Sequence, residues 1–168
     1  NDRTNENFGL WHGSTVSGRV FRDDGAADAV GNVANDGVQQ GGEPGLSGVE
    51  LVLIASFCAG AGGACDSTST DGAGDYRLWL PFGVSGSSAE VRERNDVGWV
   101  STGGSAGTTG GSYARAADRV AFAANPGLVY TDVRFGDVPP NGFAAAGAAS
   151  VAPGAAAVYA HRFTASSG

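Results

Sequence analysis

Apolar residues in this chain recur at every second position over short runs, and no stretch holds a helical period long enough to build an amphipathic helix. A period of two sends alternate side chains to opposite faces of an extended backbone, so strands are expected throughout. TVSGRVF at 15–21 sets Val16, Gly18 and Val20 on one face, and GVELVLIASF at 48–57 does the same for Val49, Leu51, Leu53 and Ala55. DYRLWLPF at 75–82 turns Tyr76, Leu78 and Leu80 inward and Arg77 and Trp79 outward. AEVRER at 89–94 is a shorter strand, which VGWV at 97–100 continues after a turn at Asn95 and Asp96. ARAADRVAFAA at 114–124 and LVYTDVRFGDV at 128–138 read as a hairpin closed by Asn125, Pro126 and Gly127, with Val129, Thr131, Val133 and Phe135 sharing a face.

Many short strands divided by turns predict an all-β, immunoglobulin-like or prealbumin-like β-sandwich over residues 15–138. Glycine supplies the turns: 29 of 168 residues, without the three-residue period of collagen. The stretch STGGSAGTTGGS at 101–112 reads as a turn-rich loop; it has no lysine and no following helix, so it is not a phosphate cradle. Residues 1–14 form an extension or assembly strand. Residues 139–168 form a Pro/Ala/Gly-rich linker whose last piece, 157–165, alternates like a strand without an evident partner in the module.

Charge narrows the partners. Ten basic residues against 17 acidic ones leave a net charge of −7, which repels nucleic acid and anionic lipid. Every basic residue is arginine, so Schiff-base chemistry, a P-loop lysine and a lysine–asparagine isopeptide crosslink are excluded within the chain. No run reaches the length of an apolar membrane helix, and no signal segment opens the sequence. The absence of methionine is what a processed or excised segment would show.

Cys58 and Cys65 flank the six residues AGAGGA, a spacing that a tight disulfide loop in a secreted protein tolerates. The other readings are a free thiol pair in a reducing compartment and half of a metal site, the latter short of ligands because His12 and His161 are distant in sequence.

The segment most suggestive of chemistry runs from Phe21 to Val49. Asn32, Ala34, Asp36, Gly37, Val38, Gln40 and Glu43 overlay positions 1, 3, 5, 6, 7, 9 and 12 of a calcium loop. Oxygen donors at that spacing can surround a hard cation, with Gly37 making the sharp turn and Glu43 offering two oxygens. Only Asp36 and Glu43 bring charge, so Asp23 or Asp24 from the preceding strand end, Asn35, the Val38 carbonyl and Asp71 of the turn TDGAGDY complete the candidate set. The alternative is that Asp, Asn and Gly serve as ordinary turn residues.

The order VSGRVFRD, then NDGVQQGGEPGLSGVELVL, then STSTDGAGDYRLWLP resembles the repeat B module of bacterial serine-aspartate adhesins (SdrD B-like), within the prealbumin-like, Cna-B-related stalk domains. The likeness covers about residues 15–100; the glycine-rich remainder is similar to extensions of this module in large repetitive surface proteins. It implies an extracellular β-sandwich whose loops bind calcium and stiffen a stalk. By this resemblance Asp23 is the strand-end acid, Asp36 precedes the loop glycine, Glu43 is the Gly-Glu acid and Asp71 the acid of the tyrosine turn. Gln40 stands where the family has Asp, and residues 25–32 lengthen the loop.

Catalytic readings are weaker. Ser150 and His161 are merely close in sequence, and no Gly-x-Ser-x-Gly elbow is present. Asp23 with Asp24, or Glu90 with Glu93, would be a glycosidase pair, with Trp79 and Trp99 as the only sugar platforms. The expected function is therefore a non-enzymatic stalk or spacer on a bacterial surface, joined through its terminal strands to neighbouring modules or copies of itself. The alternative is a filament subunit that donates a terminal strand to the next copy.

Overall fold

A computed structural model describes residues 13–26, 30–81, 85–140, 142–144 and 162–164, of which 142–144 and Arg162 are described in backbone only. The strands are β1 (Gly13–Arg22), β2 (Glu50–Ala55), β3 (Ala64–Ser69), β4 (Asp75–Pro81), β5 (Ser87–Arg94), β6 (Val100–Ala106), β7 (Ser112–Ala114), β8 (Arg119–Ala124), β9 (Val129–Val138), β10 (Gly142–Ala144) and β11 (Arg162–Thr164). They form a β-sandwich, one sheet ordered β4-β1-β9-β6 and the other β3-β2-β5-β8-β7, with β10 and β11 paired apart from both.

The expected alternation builds the core. Val16, Val20, Tyr76, Leu78, Leu80, Val133 and Phe135 from the first sheet meet Leu51, Leu53, Val91, Val120 and Phe122 from the second. Tyr76 is nearly buried and its hydroxyl donates to the Val133 carbonyl at 2.9 Å. Gly18 makes that contact feasible, because a Cβ there would lie 1.6 Å from the same carbonyl oxygen.

Three expectations are corrected. Residues 114–124 and 128–138 are not a hairpin: β8 pairs with β5 and β7, whereas β9 pairs with β1 and β6. The turn at Asn125–Gly127 carries the chain from one sheet to the other, so β8 and β9 meet across the core, where the Phe122 and Tyr130 rings pack with centroids 5.2 Å apart. Val129 and Thr131 do not share the inner face with Val133. Asp132 adopts φ 61°, and between Val16↔Tyr130 and Gly18↔Val133 the β9 strand holds one extra residue. That bulge switches the phase, leaving Val129 exposed and Tyr130 buried.

The glycine run 101–112 is a turn only at residues 107–111, and strand on either side of it. Val100–Ala106 is an edge strand on β9, and Ser112–Ala114 pairs with β8. Glycine serves close approach here: a Cβ on Gly103 would lie 2.6 Å from the Gly37 Cα, and one on Gly104 would lie 2.8 Å from the Tyr113 ring. VGWV does not continue β5: Val97 and Gly98 form a turn, and Val100 begins β6 of the opposite sheet.

Candidate metal centre

The loop from Asp23 to Glu43 is organised by its own carboxylates. Asp23 is fully buried; its Oδ2 accepts from the Gly37 N–H at 2.7 Å, and its backbone carbonyl accepts from Asn35 at 3.1 Å. Asn35 takes φ 62°, a conformation its short polar side chain tolerates. Glu43 is buried too, with one oxygen accepting from Gly25 and the other from Gln40. Burial raises its carboxyl pKa, while those two amides pull it back down.

The remaining loop acids are likewise engaged. Asp36 accepts from the Val38 N–H and the Gln40 amide, and Asp24 accepts from Ala26 and pairs with Arg22. Val38 is exposed. Asp71 holds a separate turn, where one oxygen accepts from both Ala73 and Asp75 at 2.9 Å. That turn packs on the loop's end, where a Cβ on Gly45 would strike the Ala73 carbonyl, but the carboxylate serves its own amides. As a test of fit for calcium, Asp23 Oδ1 is, among the described residues of the loop, the single carboxylate oxygen that is buried without a partner. The other acids fit the loop's amides.

A different set of acids converges. Among the described residues, Glu93, Asp118 and Asp137 are the one group of three acidic, His or Cys side chains that can each bring a ligand atom within 4.8 Å of the others. Glu93 ends the inward-facing row Ala89, Val91, Glu93 of β5, and Asp137 ends the row Val133, Phe135, Asp137 of β9. Strand alternation therefore drives both carboxylates between the sheets, where an apolar residue would ordinarily stand. Asp118 precedes β8 with φ 44°, its carbonyl accepting from the Glu93 N–H at 3.0 Å.

Polar neighbours serve only one of the three. Asn95, Ser101 and Tyr113 donate to Asp118 at 2.9, 2.6 and 3.0 Å. All four carboxylate oxygens of Glu93 and Asp137 are buried and receive no hydrogen bond. Burial, reinforced by their mutual proximity, holds the Glu93 carboxyl far above the usual range; burial also raises Asp137 and Asp118. Beside Asp137 opens a cavity of about 210 Å³ whose wall includes Leu46, Val49, Arg94, Asp96 and Trp99.

Glu93 and Glu90 thus point to opposite faces, Glu90 pairing outside with Arg92 and Arg119, so they do not form a glycosidase pair. Asp23 and Asp24 also diverge, one buried beneath the loop and the other with Arg22. Trp79 lies on the outer face with the Arg77 guanidinium 5.2 Å from its ring. His12, Ser150 and His161 lie outside the described residues. Cys58 and Cys65 form a disulfide closing the loop between β2 and β3. Asp118 gave no period signal, being in a turn; Glu93 and Asp137 did, as acids in phase with buried apolar rows.

No family model matches the chain, and no curated protein matches it significantly.

Proposed function

We infer that this chain is a non-enzymatic structural module of an extracellular bacterial surface protein, a spacer that transmits tension along its length and is stiffened by calcium. One observation carries the reading: β1 and β9 are parallel neighbours, paired from Thr15↔Val129 to Arg22↔Asp137 across a single bulge. The chain enters β1 at one end of the sandwich and leaves β9 at the other. A pull between Gly13 and Val138 loads the β1–β9 hydrogen bonds in shear, all at once, rather than unzipping them singly. The disulfide supports an oxidising, extracytoplasmic setting. The likeness to serine-aspartate adhesin B modules supports the same assignment.

Strand donation between copies draws no comparable support from the described residues. At the β4 edge the Trp79 N–H donates to Asp66, and the described part of the terminal segment, β11, pairs with β10.

Force spectroscopy tests the reading. Pulled through residues 13 and 138, the module should unfold at several-fold higher force than when pulled through residues 13 and 128, which lie at the same end. Equal, low forces in both geometries would remove the basis for a tension-bearing role. Filaments that disappear on deletion of residues 1–12 would favour the strand-donating alternative.

A further inference from the structure

We propose that Glu93, Asp118 and Asp137 form a calcium site that ties the two sheets together at the end where β9 leaves the sandwich. The proposal deepens the calcium part of the spacer reading by naming where the ion sits, and it does not depend on the module bearing tension.

Geometry comes first. Glu93 belongs to the five-stranded sheet, Asp118 to the turn that leads into β8 of that sheet, and Asp137 to the four-stranded one. Their ligand atoms lie within 4.8 Å of one another, about twice a calcium–oxygen distance of ~2.4 Å, so one ion reaches all three. Glu93 is 4% exposed and Asp137 1%, and none of their four carboxylate oxygens has a hydrogen-bond donor. Two buried, unpartnered carboxylates facing each other need either protons or a cation. Asn95, Ser101 and Tyr113 direct donors at Asp118, with Asn95 also donating to Ser101 Oγ, which fixes the orientation of Asp118; the nearness of Asn95 and Ser101 to Asp137 only partly offsets the effect of its burial.

Chemistry then selects the ion. Three carboxylates with no nitrogen or sulfur suit a hard cation. Calcium accepts an irregular shell of six to eight oxygens, whereas magnesium demands a compact octahedron. The adjoining cavity has room for the waters that complete the shell.

The loop of residues 23–43 is the competing location, and substitutions separate the two. Calcium should bind the 168-residue chain with one tight site and raise its melting temperature over that in chelator by roughly 5–10 °C at a hundredfold excess over Kd. Terbium, used as a luminescent probe, should be sensitised through Tyr113. The double variant Glu93→Gln/Asp137→Asn should lose both signals, with at least a tenfold weaker Kd, whereas Asp36→Asn/Glu43→Gln should keep them. Should the first variant fail to fold, proton competition in the wild-type chain decides: affinity should weaken at least tenfold between pH 7 and pH 5, because the ion displaces protons held by raised carboxyls. Identical melting with calcium and chelator, binding insensitive to pH over that range, or binding lost in the loop variant alone would each overturn the site. The last outcome would leave a calcium-stiffened module intact, with its ion in the loop. A preference for magnesium over calcium would overturn the choice of ion.

Discussion

Glu93 and Asp137 face each other from opposite sheets with all four carboxylate oxygens buried and no donor reaching them. Between two sheets whose facing rows are largely apolar, full ionisation of this pair is costly. Its state of protonation therefore bears on how firmly that end of the sandwich closes.

Stability without metal should depend on pH with an unusual sign. The folded pKa values of Glu93, Asp137 and Asp118 are raised above those of the unfolded chain, so the folded state binds more protons. Their contribution is fully present below about pH 4 and is lost as pH rises through the raised values. Asp75, lowered by Arg19, works the opposite way, but that pair is exposed and weak. Calorimetry in chelator should show the melting temperature falling from pH 4.5 to pH 7.5, and added calcium should flatten that fall.

Neutralising the pair should stabilise the metal-free protein. Glu93→Gln removes the cost of holding a proton on this carboxyl at pH 7 while keeping the shape, and its amide can donate to Asp137. Chemical denaturation in chelator at pH 7 should give a gain of about 1–2 kcal/mol, with the m-value unchanged. A loss of stability would mean that the carboxylate has a donor in solution.

Gly18→Ala should be among the most damaging small substitutions. The new methyl would sit 1.6 Å from the Val133 carbonyl oxygen and 3.0 Å from the Tyr76 hydroxyl, so β1 and β9 must separate. A cost of roughly 3 kcal/mol is expected from overpacking at this junction. Tyr76→Phe removes only the hydroxyl and should cost about 1–2 kcal/mol. Urea denaturation of the two variants should rank them in that order.

Replacing Cys58 and Cys65 by serine should cost about 2 kcal/mol, the entropy of one short loop. The disulfide closes only the β2–β3 connection. Calcium affinity should therefore stay within about twofold of the native value, as titration of the serine variant would show.

Local patterning carried much of the fold into view. The alternation Tyr76, Leu78, Leu80 and the rows ending in Ala55 and Val20 identify strands and their inner faces, because a period of two has one physical meaning in an extended chain. The same rule marks Glu93 and Asp137 as acids in a buried phase, a signal weaker than the conspicuous Asp-Gly spacing of residues 32–43.

What the amino-acid sequence by itself determined is an all-β sandwich with glycine at its turns and a disulfide within reach. Only the tertiary structure decided which strands pair, that β9 lies parallel beside β1 across the whole chain, and that the glycine run makes an edge strand. It also decided which carboxylates meet: Asp23, Asp24, Asp36 and Glu43 of the loop accept from nearby backbone amides, whereas Glu93, Asp118 and Asp137 come from three separate segments. Pairing depends on long-range burial that no local pattern encodes, and convergence of charge depends on pairing.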